Sequence, residues 1–116
     1  MISPSTFTGD PYGYVTNQIG HGGGVGLGFA IYASAMGLTW LDAWPAAVVV
    51  YWVLIEYGLQ EASRPGNASF LDGIEDAMHV GFGVALHSVI LYHDVAAAGL
   101  FTLWMCLLGF GAWLRT

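Results

Sequence analysis

The sequence predicts an all-α protein, a four-helix transmembrane bundle of two antiparallel hairpins with the N- and C-termini on the same side. Three observations favour this fold class. The 116 residues are 56% hydrophobic and 9% charged, whereas a soluble domain is about 25% charged. A soluble chain of this size leaves much of its surface exposed and could not hide so many apolar side chains. The apolar residues also fall in four continuous runs, each near the roughly 20 residues that span a bilayer, without the alternation of a β-barrel.

The first element is a polar lead-in followed by a glycine-rich span. Residues 1–19 are turn-rich and lack the basic start and apolar core of a signal peptide. The first transmembrane helix is expected at about 20–41. Small residues recur there every four positions in two rows, Gly20/Gly24/Gly28 and Gly22/Gly26/Ala30. This spacing lets another helix approach closely, either within the chain or in a second copy that forms a homo-oligomer.

The other three spans are expected at about 43–60, 73–92 and 95–114. Asp72 followed by Glu75 has the spacing of an N-cap and its capping-box partner, which predicts a helix start. Four tryptophans near the predicted helix ends are typical of interfacial anchors, namely Trp40, Trp44, Trp104 and Trp113.

The links between the spans set the topology. Asp42 and Asp94 mark two very short connections, which predict antiparallel hairpins. The stretch 61–71 contains a Pro-Gly pair and is the only substantial internal loop that we expect. Residues 1–116 are therefore interpreted as one integral membrane domain.

This topology brings polar residues together, since the start of the first span, the end of the second and the start of the third share one side. Several of these residues recur at i,i+4 spacing, so each helix presents a polar stripe. Asn17 and Gln18 lie just before the same side. The candidate ligand-binding residues are His21, Glu56, Gln60, Arg64, Asp72, Glu75, Asp76 and His79. We expect them to form an acidic, histidine-containing vestibule that binds a polar headgroup or a cation.

Glu56 is the most informative of these residues. It follows a long apolar run about one turn inside the membrane end, where a carboxylate must face protein or water, pair, or take a proton. Glu56, Asp76 and His79 are candidate ligands for a divalent cation, Mg²⁺ or Zn²⁺. Such an ion would offset the acidic charge and could bridge to a lipid phosphate, although the sequence contains no His-Glu-x-x-His motif.

The cationic residues exclude one function and orient the chain. Arg64 and Arg115 are the only cationic side chains besides histidine, so nucleic acid binding, which needs a basic surface, is excluded. Both arginines fall on the side of the polar residues, and the positive-inside rule then places that side in the cytoplasm. We expect a bacterial inner membrane or a phage-related membrane.

The stretch from Tyr51 to His87 resembles the VanZ-like family of small polytopic membrane proteins. The matching positions are Glu56, Gln60, Arg64, Asp72, Asp76 and Gly81 or Gly83. This chain spaces Glu56 and Gln60 by four residues where the family usually has three, and it has Asp76 where Asn is common. The resemblance implies a role related to the cell envelope and implies no catalytic residues.

Three functions remain open from the sequence. The first is a lipid-headgroup or cation-binding membrane protein. The second is an oligomeric structural or pore-forming protein, such as a phage holin or a virion membrane component. The third is haem binding by a pair drawn from His21, His79 and His87. The sequence shows no nucleophile–base arrangement, and whether the protein is an enzyme stays open.

Overall fold

The computed structural model describes residues 7–60 and 70–116, which are all-helical and form four helices. Helix α1 joins Pro11–Ile19, a π-helical stretch Gly20–Gly26, and Leu27–Ala35. Helix α2 joins Trp40–Val50 and a π-helical stretch Tyr51–Gln60; α3 is Phe70–Tyr92, and α4 is Val95–Trp113. The all-α prediction is confirmed for these residues.

Two of the described helices are long and apolar enough to cross a membrane. They are α3 from Asp72 to Tyr92 and the whole of α4, while the apolar stretch Trp40–Ile55 of α2 is shorter. Two-thirds of the apolar window in α3 is buried (67%), against 22% in α4. Helix α3 therefore forms the centre of the bundle and α4 lies on its outside.

Helix α1 begins and ends earlier than the predicted span at 20–41. The Asp10 carboxylate accepts the Gly13 N–H at 2.8 Å, and Pro11 occupies the first turn, so the helix starts well before residue 20. It ends because Gly37 takes a left-handed conformation, with φ at 77°. The Leu38 N–H then returns to the Ala33 carbonyl at 2.9 Å.

The later helices have identifiable start signals. Thr39 caps α2 by accepting the Asp42 N–H, so Asp42 lies in the first turn of α2 and not in the link that the sequence predicted there. Asp94 caps α4 by accepting the Ala97 N–H at 3.1 Å. Helix α3 begins at Phe70, so Asp72 lies inside its first turn and is not the N-cap that the sequence pattern predicted.

Two rows of small residues on α1 have different surroundings. A Cβ at Gly83 of α3 would overlap the Gly22 carbonyl oxygen and would lie 2.8 Å from the Gly26 Cα. The row Gly22/Gly26 therefore packs backbone to backbone against α3, as small-residue rows do in membranes. A Cβ on the other row, at Gly20, Gly24 or Gly28, would meet nothing within 4 Å.

Contacts at the two ends of the bundle define its topology. The Gly9 N–H donates to the Arg115 carbonyl at 2.9 Å, which places the start of α1 beside the end of α4. Ser34 and Tyr92 share a hydrogen bond of 2.7 Å between their hydroxyls, which places the ends of α1 and α3 together. Helices α1 and α3 therefore run in the same direction, and α4 runs opposite to them.

Candidate functional site

A buried chain of hydrogen bonds connects α4, α3 and α1 at the end of the bundle where α1 begins. The Trp104 indole donates to His79 Nδ1 at 2.6 Å, and His79 Nε2 lies 3.4 Å from the Tyr14 hydroxyl. That hydroxyl donates to Glu75 Oε1 at 2.9 Å. Because an indole N–H can only donate, Nδ1 must be the acceptor, and the neutral imidazole carries its proton on Nε2. The donors then all point in one direction, from Trp104 to Glu75.

Arg115 completes this chain of contacts with a buried charge pair. Its guanidinium lies 3.8 Å from Glu75 Oε1, and each of the two side chains is only 1% exposed. Arg115 also donates to the Gly111 carbonyl at 3.1 Å and stacks 3.8 Å from the centre of the Tyr14 ring. A charge pair buried this deeply is stable only when both partners are present and hydrogen-bonded. The pair therefore anchors the end of α4 to α3.

A second group of polar residues, which we call the acidic vestibule, consists of Gln18, His21, Asp72 and Asp76. The Gln18 amide N–H donates to Asp76 Oδ1 at 2.7 Å, and His21 Nδ1 lies 3.6 Å from the same oxygen. Gln18 and Asp76 are buried, at 2% and 5% exposure, whereas His21 and Asp72 are half-buried. The vestibule therefore has a buried floor and a half-open rim.

One atom in the floor of the vestibule has no hydrogen-bond partner among the described residues. It is Gln18 Oε1, the carbonyl oxygen of the same amide that binds Asp76. A buried carbonyl oxygen without a donor is energetically unfavourable. The floor therefore offers an acceptor beside a carboxylate, an arrangement that suits a ligand with positive charge or N–H groups.

The predicted site residues fall into three groups: those in the vestibule, those in the hydrogen-bonded chain, and those whose side chains the structure does not describe. The structure brings His21 and Asp76 together in the vestibule, with Asp72 close enough to interact electrostatically with His21. It brings Glu75 and His79 into the neighbouring hydrogen-bonded chain. Glu56 and Gln60 belong to the π-helical part of α2, but their side chains lie outside the described part of the structure, and so does the whole of Arg64. Their predicted roles stay predictions.

The predicted metal ligands are Glu56, Asp76 and His79, and the side chain of Glu56 lies outside the described part of the structure, so this metal site stays a prediction. Among the side chains that the structure describes, no group of three or more His, Cys, Asp or Glu is arranged to hold a metal ion. His79 also offers no free lone pair, because Nδ1 accepts from Trp104 and Nε2 carries the proton that faces Tyr14. For the same reason its imidazole is not available as a haem ligand in this arrangement.

Four residues of this site are not among the predicted site residues, and one of them is Gln18, which the sequence places only near the same side. Trp104 was interpreted as an interfacial anchor, yet it is 2% exposed and holds His79. Arg115 was interpreted only as an orienting charge, yet it is buried against Glu75. Tyr14 was assigned to the lead-in segment. Its four-residue spacing from Gln18 is the one signal in the sequence that could have placed it on the same helix face.

Comparison of the chain with protein-family models, with curated proteins and with solved structures finds no match. The resemblance to VanZ-like proteins therefore stays a prediction.

Proposed function

We propose that the chain is an integral membrane protein whose four helices span a bilayer and whose acidic vestibule binds a positively charged group. The outward surfaces support the membrane setting. Large apolar side chains are exposed along the helices, including Leu54 at 58%, Val95 at 86% and Leu103 at 49%. Lipid is the environment in which such a surface is stable, because a small soluble protein rarely exposes so much apolar area.

The unpartnered Gln18 carbonyl oxygen beside Asp76 is the observation that carries the proposal. Both groups accept hydrogen bonds or coordinate cations, and Asp72 adds a further carboxylate at the rim. The Arg115 guanidinium lies against Glu75, so the vestibule keeps its negative character. An anion would be repelled there, whereas an ammonium group or a small metal cation would gain both charge neutralisation and a partner for Gln18.

Asp76→Asn is the variant that tests this proposal, because it removes the charge and keeps the shape. The purified protein in lipid nanodiscs is unfolded with and without Na⁺, Mg²⁺, Zn²⁺ or ethanolamine at neutral pH. A ligand at 100 times its Kd should stabilise the wild type by about 2.7 kcal/mol. The series separates an ammonium ligand from a metal cation, since the vestibule should prefer one class.

The matched control is Asp42→Asn, the same change at the other end of the bundle, where Asp42 bonds to Thr39 at 2.7 Å. Asp42→Asn should keep the cation-dependent stabilisation that Asp76→Asn loses. Gln18→Met, which removes the unpartnered oxygen, should weaken that stabilisation. No stabilisation by any of the four cations, or equal stabilisation of Asp76→Asn, would contradict the proposal. Glu56→Gln tests whether the predicted carboxylate of α2 also contributes to cation binding.

A second candidate function is an oligomeric structural or pore-forming protein, and the outer row of α1 favours it. A side chain added at Gly20, Gly24 or Gly28 would meet open space, so the α1 of a second copy can approach the backbone there. Gly24→Ile should then abolish cross-linked dimers in membranes. Gly99→Ile, at an equally open position on α4, should leave them intact. Ion leakage on expression would identify a pore, and a monomer in both the wild type and the variants would exclude this candidate.

A further inference from the structure

The end of the bundle opposite the acidic vestibule contains an open cleft of about 400 Å³. It lies where the turn between α1 and α2 meets the turn between α3 and α4. Its lining residues include Ser34, Leu38, Trp40, Tyr92 and Asp94. The walls are predominantly apolar, so the cleft suits the hydrocarbon part of a ligand better than a polar one.

A small cavity of about 10 Å³ extends the cleft into the bundle. The two spaces share Ser34, Leu38, Trp40 and Tyr92, and the inner one also reaches His87 of α3. The inner volume has room for one group of the size of a water molecule. Only a very small polar group can therefore enter it from the cleft.

His87 presents an unsatisfied nitrogen at this cavity. The residue is 7% exposed, and its Nε2 is buried without a hydrogen-bond partner in the described part of the chain. The hydrogen-bonded hydroxyls of Ser34 and Tyr92 supply a second polar group. Only one of the two O–H groups donates within the pair, so the O–H of the accepting hydroxyl can donate to a ligand. A group in the inner cavity can thus meet one imidazole nitrogen and one hydroxyl.

We infer that this cleft and cavity bind an uncharged lipid-like molecule that has an aliphatic chain and a terminal hydroxyl. A hydroxyl is about as large as the water molecule that the inner cavity can hold, and it can both donate and accept. The aliphatic chain of the ligand lies along the apolar walls. In the proposed membrane setting, on which this part of the inference rests, Trp40 and Tyr92 are at the level of the interface. A carboxylate ligand is disfavoured because the Asp94 carboxylate lines the cleft. This site is separate from the acidic vestibule and does not depend on it.

Nuclear magnetic resonance of the protein labelled with ¹⁵N-histidine tests the inference. The protein in nanodiscs is titrated with 1-dodecanol, dodecane and dodecanoate. Dodecanol should shift one imidazole resonance in a saturable manner, and that resonance should be the one missing from His87→Phe. Dodecane should cause no saturable shift, and dodecanoate should bind at least about tenfold more weakly because of the charge at Asp94.

Two further variants keep the test decisive if His87→Phe is unstable. Ala33→Leu adds volume to the wall of the inner cavity and should abolish the shift while His87 is retained. His93→Asn changes an exposed histidine in the adjoining turn, and Asn tolerates the left-handed backbone there, with φ at 49°, so it should leave the shift unchanged. The inference is overturned if dodecanol causes no saturable shift, if dodecane causes the same one, or if Ala33→Leu keeps it. A water molecule detected beside His87 that dodecanol does not displace would also overturn it.

Discussion

Replacing Arg115 with methionine should destabilise the protein strongly, because it leaves the Glu75 carboxylate buried without its counter-charge. Both side chains are 1% exposed and their charged groups lie 3.8 Å apart. Removing one member of a buried ion pair costs about 3–5 kcal/mol. The Tyr14 hydroxyl still donates to Glu75 at 2.9 Å, and the carboxylate can take up a proton. We therefore expect a loss near the lower limit of that range, about 3 kcal/mol.

The double variant Glu75→Gln with Arg115→Met isolates the pair. Glutamine accepts the Tyr14 hydrogen bond without a charge, so Arg115→Met should cost little in that background. A double-mutant cycle should then give a coupling energy of about 2–3 kcal/mol. The assay is equilibrium unfolding in mixed detergent micelles, followed by helical circular dichroism. A coupling energy below about 0.5 kcal/mol would refute the reasoning, since it would mean that the two charges do not depend on each other.

Three further predictions concern other parts of the bundle. Gly83→Ala should destabilise the protein by about 1–3 kcal/mol through overpacking. The control is Gly99→Ala, at a position where a Cβ meets open space. Thermal unfolding should show this control to be neutral or stabilising. Trp104→Phe leaves His79 Nδ1 buried without its donor and should lower the stability by about 1–3 kcal/mol. The ¹⁵N spectrum of the His79 imidazole should then show both tautomers instead of one. An unchanged spectrum would count against the hydrogen-bonded chain. The hydrogen bond from the Ala97 N–H holds the pKa of Asp94 below its usual range, with help from a Trp40 hydrogen bond. The stabilisation from this lowered pKa is present above the unfolded-state pKa of about 4 and is lost as the pH falls below it through the lower folded-state pKa. Asp94→Asn, which keeps the cap, should therefore flatten the pH dependence of unfolding below about pH 4.

The all-helical class and most helix positions follow from local properties of the chain. Hydropathy and the length of the apolar runs indicate helices, and Asp94 marks the link before α4. Gly37, which ends α1, was not predicted, since the first span was expected to continue to about residue 41. The position of α1 was the least accurate prediction, because its first turns carry polar residues that hydropathy alone assigns to a lead-in. Their helical state depends on the Asp10 cap and on burial of Tyr14 against α3 and α4.

The polar site also combines residues that the sequence indicates with residues that only the fold brings into place. The sequence indicates that Asp76, Glu75 and His79 gather near His21, because connectivity brings the helix ends to one side. It does not indicate that Trp104 and Arg115 face inward, since their partners lie 25 and 40 positions away along the chain. Which face of α4 turns inward depends on how the helix is rotated. That rotation depends on close contacts such as the one between Gly111 and the Tyr14 ring.

The two glycine rows of α1 illustrate this most clearly. Their spacing in the sequence is identical, and it predicts close packing for both. In the folded bundle one row lies against Gly83 and the other faces outward. Spacing along a helix determines which residues share a face, and it is encoded locally. Which face is buried depends on the shapes of all the neighbouring helices at once, and only the assembled bundle contains that information.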